Sequence, residues 1–250
     1  NVEIGSGTWI GANATIMEGA RIGKNCEIFP GAVISAIPQD KKFNGEESIA
    51  IIGDNTIIRE CVTVNRATNA TGKTIIGDNC LIMAYAHIAH DCIIGNNIVI
   101  ANNAAIAGHA EIQDHVILGG NCGVHQFTRI GKMAMIGGMT GVSRDVIPYG
   151  LSTGNRNYLN GINVVGLRRN QVSNKVIIGL TDAYKEIFKT ENRKIHYCQP
   201  VKSDVRPLLK PPRVGLPGMA RRAQLLRSRR TPCICCASEA AARRRLLVPR

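Results

Sequence analysis

An aliphatic residue recurs at every sixth position through most of the first 142 residues, and this repeat limits the possible folds more than any other feature. Steps of six from Ile4 to Val142 visit 24 positions, and 21 of them are Ile, Leu or Val. Small or turn-forming residues follow the aliphatic one, as in Ile76-Gly77-Asp78-Asn79. Because neither a helix nor a simple hairpin has a period of six, the pattern indicates a repeat architecture.

A strict six-residue period predicts a prism-shaped solenoid. Each step of six makes one flat face and a corner, three steps make a coil of about eighteen residues, and the aliphatic side chains stack inside the prism on those of neighbouring coils. The chain has one Trp, five Tyr and four Phe among 250 residues, so aliphatic side chains must fill this core.

Two segments interrupt the repeat. Residues 35–51 place charged residues where the aliphatic column should run, and residues 65–73 are polar. We interpret both as loops extruded from the solenoid. Loops on a rigid scaffold commonly carry function.

The repeat ends before the chain does. After Val142 the hexads fade, and residues 173–190 show helical spacing that begins at Ser173, a candidate N-cap. We predict a β-solenoid over residues 1–150, followed by a linker and a short helical region over residues 151–190. Because Asn1 already lies inside a repeat, we also expect earlier coils to be missing.

Residues 191–250 differ in composition from the rest. They hold 15 Lys and Arg against 3 Asp and Glu, which accounts for +12 of the net charge of +13. They also hold 7 of the 10 Pro. The segment lacks interleaved aromatic residues for base stacking, so we expect no nucleic-acid partner and a disordered or non-native tail.

The lengths of the apolar runs and the spacing of the cysteines predict a soluble protein. No window approaches eighteen uninterrupted apolar residues, and no secretory signal opens the chain, so we expect no membrane span. The cysteines before residue 191 are scattered singly, which fits a reducing compartment. We therefore expect a cytoplasmic protein.

Four histidines gather around one position of the predicted coil. If eighteen residues make a turn of the solenoid, His90 stacks over Gly108 and Gly108 over Gln126, about 4.8 Å apart. His109 follows Gly108, His125 precedes Gln126, and His87 shares a coil with His90. The arithmetic predicts a polar cluster.

This cluster combines a base with a donor. Asp91 follows His90 and could orient its ring, and Gly108 could offer an uncrowded backbone N–H to an oxyanion. The arrangement suits acyl transfer by direct attack. The alternative is that these histidines are ordinary surface or corner residues.

Five sequence motifs resemble a known family. They are NCLIMAYAHIAHDC at 79–92, ANNAAIAGH at 101–109, GGNCGVHQF at 119–127, QDKKFNGE at 39–46 and GINVVGLRR at 161–169. Together they are similar to the acyl-carrier-protein–UDP-N-acetylglucosamine O-acyltransferases that begin lipid A synthesis. This family belongs to the hexapeptide-repeat acyltransferases, and the resemblance implies a left-handed parallel β-helix.

The resemblance also implies roles for individual residues. His90 matches a general base, Asp91 its supporting carboxylate and Gly108 an oxyanion-hole amide. Contacts with the sugar nucleotide or the acyl chain are implied for Asp40, Lys42, His87, His109 and Gln126.

Four further positions match substrate contacts of the family. His125 matches a histidine lining the same cleft, and Gly138 a position at the end of the acyl chain. Asn163 and Arg169 match residues near the nucleotide phosphates.

The sequence also departs from the family at Val165, Asn170, Arg156 and Ala67. Relatives commonly carry Glu, a second Arg, His and Gly, respectively, at these positions. The departures bear on nucleotide affinity and chain-length preference more than on the reaction.

The resemblance implies transfer of an (R)-3-hydroxyacyl group from acyl carrier protein to the 3-hydroxyl of UDP-N-acetylglucosamine by a homotrimer, with neither metal nor cofactor. Three alternatives stay open. They are the sister N-acyltransferase that acts on a glucosamine amine, a zinc lyase of carbonic-anhydrase type using His87, His90 and His109, and a catalytically silent assembly subunit.

Overall fold

The computed structural model describes residues 1–188, which form 23 short strands and two helices. The predicted tail at 191–250 lies outside the described residues. In chain order the strands are β1 Glu3–Ile4, β2 Trp9–Ile10, β3 Thr15–Ile16, β4 Ala20–Ile22, β5 Glu27–Ile28, β6 Val33–Ala36, β7 Ile49–Ile52, β8 Ile57–Ile58, β9 Thr63–Asn65, β10 Lys73–Ile76, β11 Leu81–Ile82, β12 His87–Ile88, β13 Ile93–Ile94, β14 Val99–Ile100, β15 Ala105–Ile106, β16 Glu111–Ile112, β17 Ile117–Leu118, β18 Gly123–Val124, β19 Arg129–Ile130, β20 Met135–Ile136, β21 Gly141–Val142, β22 Gly150–Thr153 and β23 Tyr158–Ile162. The helices are α1 Val164–Arg169 and α2 Asn174–Ile187.

Every third strand up to β21 belongs to the same sheet. The three sheets run β1-β4-β7-β10-β13-β16-β19, β2-β5-β8-β11-β14-β17-β20 and β3-β6-β9-β12-β15-β18-β21, and neighbouring strands within them are parallel. Paired residues are eighteen positions apart in the regular coils, as for Ile76 with Ile94 and Ile94 with Ile112. The predicted all-β solenoid is therefore confirmed.

The aliphatic column forms the core. From Ile22 to Val142 its members among the paired strands are at most 4% exposed, and they make one continuous hydrophobic cluster. At the first coil Ile4 and Ile10 are 46% and 36% exposed, because each coil buries its core only against a coil on both sides.

Asparagine shapes many of the corners. Left-handed backbone with φ between 51° and 60° occurs at Asn13, Asn25, Asn55, Asn79, Asn97, Asn103 and Asn121. Asn tolerates this conformation better than most non-glycine residues, so its recurrence after the aliphatic position has a backbone cause.

Both predicted loops are present, with narrower bounds than the sequence indicates. The first spans residues 37–48, because β6 and β7 extend into the first interruption, and the second spans residues 66–72, because β9 and β10 extend into the second. Across the loops, paired residues are thirty positions apart for Ile22 and Ile52, and twenty-four for Ile52 and Ile76. Each loop therefore adds a multiple of six residues, and the chain re-enters the prism in register.

The C-terminal part of the described chain adds two elements to the prism. Strand β22 pairs in parallel with β20 and in antiparallel with β23, so the second sheet continues past residue 150. The predicted helix is confirmed as α2, with Ser173 at its N-cap position. Neither described helix is long and apolar enough to span a membrane.

The solenoid geometry predicts opposite effects for neighbouring residues of one strand. Ile100 is fully buried and its neighbour Val99 is partly exposed. Ile100→Ala should lower the free energy of unfolding by about 2–5 kcal/mol, because it leaves a cavity in the stack. Val99→Ala, the control, should cost much less. Urea denaturation at one fixed chain concentration measures both, and equal losses would contradict the inward column.

Candidate active site

The predicted stacking of His90 on Gly108 is present. A Cβ built at Gly108 would lie 2.6 Å from Cε1 and 2.7 Å from Nε2 of the His90 ring. Any side chain at position 108 would therefore displace the imidazole. The Gly108 N–H donates no hydrogen bond to another residue within 1–188.

His90 and Asp91 form a buried pair. Nδ1 of His90 lies 2.7 Å from Oδ2 of Asp91, and the two residues are 6% and 2% exposed. Asp91 has left-handed backbone, with φ of 61°, and its N–H donates to Oγ1 of Thr74 at 2.8 Å. This corner turns the carboxylate back towards the ring that precedes it.

Hydrogen bonds keep the Asp91 carboxyl ionised. Burial by itself raises the pKa of this carboxyl, but hydrogen bonds from Thr71, His90 and Thr68 outweigh burial and hold the pKa below its ordinary value. Because an ionised carboxylate only accepts hydrogen bonds, Nδ1 of His90 carries a proton and donates it. Nε2, the nitrogen next to Gly108, is then free to act as a base.

His109 lies beside this pair. Its ring packs edge-on to His90 with centroids 5.1 Å apart, and it stacks on Phe127 at 4.5 Å. Its Nε2 is 3.8 Å from Oδ2 of Asp91. The Phe127 ring is largely exposed, so the stack ends at the protein surface.

His87 lies on β12, the strand that leads into the pair of His90 and Asp91. Its Nδ1 is 2.7 Å from Oγ1 of Thr63 on the preceding coil. Burial lowers the pKa of His87, and repulsion from the His90 ring in its protonated form lowers it further. A lowered imidazole pKa leaves this ring neutral near pH 7, so it can bind a polar group by hydrogen bonding.

A groove of about 770 Å³ runs along the outer face of the sheet that contains β12, β15, β18 and β21. It brings together five of the predicted residues, namely His87, His90, Gly108, His125 and Gln126. Its floor has small side chains or none, at Ala105, Gly123 and Gly141. These small residues leave space for a ligand above the strands.

The other predicted residues lie outside the lining of this groove. Asp40 and Lys42 are on loop 37–48, whose Gln39 does line it. Gly138 lies at a different corner, near the carbonyl of Gly120. Arg169 is exposed at the end of α1.

Asn163 has a structural task within the chain. Its Oδ1 accepts the N–H of Gly166 and so caps α1, and its Nδ2 donates to the carbonyl of Met133 at 3.0 Å. It is 9% exposed. Its predicted role near the nucleotide phosphates stays a prediction.

Sequence reasoning missed several residues around the site. Arg144 and Asn155 line the groove, and so does Arg156, which in the sequence is only a departure from the family. Thr68 and Thr71 contact Asp91 from loop 66–72. The polar character of residues 65–73 was the available signal, but it gives no partner for either threonine.

One group of side chains among the described residues could hold a metal ion. The ligand atoms of His90, Asp91 and His109 all lie within 4.8 Å of one another. This group contains Asp91 in place of His87, so it differs from the three-histidine set of the zinc-lyase alternative.

Comparisons with known proteins agree with this geometry. The family model described as "Bacterial transferase hexapeptide (six repeats)" matches residues 1–36 and 73–108. The model described as "Udp N-acetylglucosamine O-acyltransferase; Domain 2" matches residues 145–207. The second match runs past Glu191, so residues 191–207 resemble the family, although their composition predicts a disordered or non-native tail.

Several curated relatives of this chain share one name. A Campylobacter lari protein named acyl-[acyl-carrier-protein]–UDP-N-acetylglucosamine O-acyltransferase is 48% identical over 199 residues, which cover 76% of this chain and 75% of the relative. The chain belongs to the UDP-N-acetylglucosamine O-acyltransferase family. A relative of the same name from Rhizobium rhizogenes is 48% identical over 171 residues. That match covers 68% of this chain but only 63% of the relative's length.

Solved structures of the family superpose on the chain. LpxA from Acinetobacter baumannii matches with a TM-score of 0.74 and 44% identity, covering 77% of this chain and 75% of that one. UDP-N-acetylglucosamine acyltransferase from Francisella novicida matches with a TM-score of 0.73 and 42% identity, covering 74% and 68%. The predicted left-handed parallel β-helix is confirmed.

The close approach at Gly108 predicts the effect of adding one methyl group. Gly108→Ala should displace the His90 ring, because the new Cβ would overlap it, and should weaken the bond between Nδ1 and Asp91. Gly123→Ala is the control, since a Cβ there meets nothing within 4 Å. Nitrogen-15 NMR of the histidine rings compares the two variants. An unshifted His90 signal in Gly108→Ala would contradict the stacking.

Proposed function

We propose that this chain catalyses transfer of an (R)-3-hydroxyacyl group from acyl carrier protein to the 3-hydroxyl of UDP-N-acetylglucosamine, the first step of lipid A synthesis. The buried pair of His90 and Asp91 against Gly108, at the wall of the groove, carries the proposal. Relatives named for this activity support it.

The reaction begins at Nε2 of His90. Nδ1 donates to Asp91, so Nε2 can take the proton of the sugar 3-hydroxyl. The sugar oxygen then attacks the thioester carbonyl carbon, whose oxygen becomes an oxyanion. Asp91 stabilises the imidazolium formed in this step because its carboxylate is ionised.

In the second half of the reaction the proton held on Nε2 passes to the leaving group. The Gly108 N–H, which has no partner within residues 1–188, donates to the oxyanion. The carbonyl re-forms, the carbon–sulfur bond breaks, and the leaving sulfur takes the proton from Nε2. The products are the O-acyl sugar nucleotide and the free thiol of acyl carrier protein.

Substrate contacts follow the groove and the loop above it. His87, His125 and Gln126 bind the sugar nucleotide or the acyl chain from the groove wall. His109 binds the same substrates from its position beside His90 and Asp91. Asp40 and Lys42 reach the substrate from loop 37–48.

The remaining substrate positions lie further away. Gly138 limits the acyl chain, and Asn163 and Arg169 approach the phosphates of the nucleotide. The side chain of Asn163 is buried and caps α1, so we expect its contact with the nucleotide to be the least direct of the three.

We further propose that the chain acts as a cytoplasmic homotrimer with its clefts between neighbouring solenoids. Three large side chains at corners bordering the groove face are more than 60% exposed, namely Tyr85, Phe127 and Met139. A second solenoid would cover them and close the open side of the groove. Family membership supports the same assembly.

The general base is the most direct point of test. His90→Ala should lower kcat by about 10²–10⁴, because a positioned base contributes that much to the rate. His115→Ala is the control, since its backbone N–H bonds Asn96 at a corner away from the pair. Mass spectrometry of the product formed from UDP-N-acetylglucosamine and an acyl carrier protein thioester measures both. Near-normal transfer by a folded His90→Ala variant would refute the mechanism.

The proposed chemistry runs without a metal ion. His90, Asp91 and His109 could hold one, but Nδ1 of His90 and both oxygens of Asp91 are already engaged in hydrogen bonds. Transferase activity should therefore persist after dialysis against a strong chelator, and elemental analysis should find less than one zinc per chain. Loss of transferase activity on chelation, with recovery on adding zinc, would contradict the metal-free mechanism.

A further inference from the structure

Loop 66–72 surrounds the carboxylate of Asp91, and the proposed mechanism assigns no role to the residues of this loop. Oδ1 of Asp91 accepts the hydroxyl and the N–H of Thr71, the latter at 3.2 Å. Oδ2 accepts the hydroxyl of Thr68 at 2.8 Å, and the Thr68 N–H lies 3.2 and 3.3 Å from the two oxygens. Two threonines thus supply two hydroxyls and two backbone N–H groups.

These donors nearly exhaust the accepting capacity of the carboxylate. An ionised carboxylate offers about four lone-pair sites. Thr68 and Thr71 occupy most of them, and Nδ1 of His90 takes a place on Oδ2 at 2.7 Å. The carboxylate therefore has one orientation, and that orientation presents Oδ2 to the imidazole.

We propose that Thr68 and Thr71 are positioning residues for the acyl transfer, which orient Asp91 and keep it from accepting a proton from His90. The proposal rests on the proposed function, because it assigns the two threonines a role in that reaction. Neither threonine touches the substrate in this role. Both act through Asp91.

The Thr71 hydroxyl has a choice of acceptor that favours this role. Its oxygen lies close to Oδ1 of Asp91 and also 3.0 Å from the carbonyl of Lys73. A hydroxyl has one proton, and a charged acceptor binds it more strongly than a neutral carbonyl. The proton therefore goes to Asp91.

The loop is itself held in place by the neighbouring loop. The Ser48 hydroxyl donates to the carbonyl of Ala67, and the Asn69 N–H donates to Glu46 at 3.3 Å. Within the loop, the Gly72 N–H donates to the carbonyl of Thr68 at 2.9 Å. The threonines are thus attached to loop 37–48, so the segment carrying Asp40 and Lys42 is connected to the catalytic pair.

Removing a threonine hydroxyl should alter the reaction rate and its pH dependence together. Thr71→Val keeps the side-chain shape and removes the donor. We expect kcat to fall about tenfold, as for loss of one hydrogen bond to a charged group, with the KM for each substrate nearly unchanged. Thr68→Val should act in the same direction, and the double variant should lose more.

The pH profile separates positioning from a purely structural role. The hydroxyl donors reduce the negative charge that the ionised Asp91 carboxylate presents to His90, so they weaken its attraction for an imidazolium. Their removal raises the proton affinity of the pair as a whole. The acidic limb of kcat/KM should therefore move to higher pH in both Val variants.

Two control variants complete the set. Thr71→Ser and Thr68→Ser keep the hydroxyl and should retain the wild-type pH profile. Thr56→Val removes a fully buried hydroxyl that donates to the carbonyl of Gly77 at 2.9 Å, away from Asp91. It should lower the melting temperature and leave the acidic limb in place.

An NMR titration of the histidine rings decides the proposal without the enzymatic assay. The apparent pKa of the pair, followed at His90, should rise in Thr71→Val and return in Thr71→Ser. An unmoved titration in both Val variants would overturn the positioning role, even if activity fell. If wild-type protein transfers no acyl group while the titration moves as expected, the proposed function fails and the orientation of Asp91 by the threonines stands.

Discussion

The stacking of one coil on the next is the constraint on which the rest of the structure depends. Strands of two residues could not be stable alone, and they persist because each pairs in parallel with strands above and below. Paired residues in the regular coils are eighteen apart, so any residue is carried to the same place on the next coil. A glycine at 108 can therefore receive a histidine ring from position 90.

This periodicity explains why so much of the site was visible in the sequence. The aliphatic column determines the faces of the prism, and counting by eighteen then places Gly108 beside His90 and Gln126 on the following coil. Asp91 was also predictable, since it is the next residue and the corner geometry directs it to the ring. Period and residue type place His90, Asp91 and Gly108 together, whereas their roles as base, supporting carboxylate and oxyanion donor are implied by the family resemblance.

Features outside the period could not be obtained this way. Thr68 and Thr71 reach Asp91 from a loop whose path is set by side-chain and backbone hydrogen bonds, which counting does not reveal. The pairing of β22 with β23 follows the end of the hexads, where no column fixes the register. The two hydrogen bonds of the Asn163 amide, to Met133 and Gly166, were also not predictable, because nothing in the sequence around it indicates these partners.

The two loops carry a consequence for how this molecule can change in length. The loops lengthen the chain between Ile22, Ile52 and Ile76 by multiples of six residues, the length of one face. The strands after each loop therefore pair in the same register as in a regular coil. Inside a regular coil, gain or loss of a single residue would shift every later face by one position, and between positions 90 and 108 it would separate His90 from Gly108. Insertions and deletions in descendants of this gene should therefore accumulate at the loops, while the coils between Ile76 and Val142 keep a constant spacing. Within a coil, a length change keeps the aliphatic column in place only if it is a multiple of six residues.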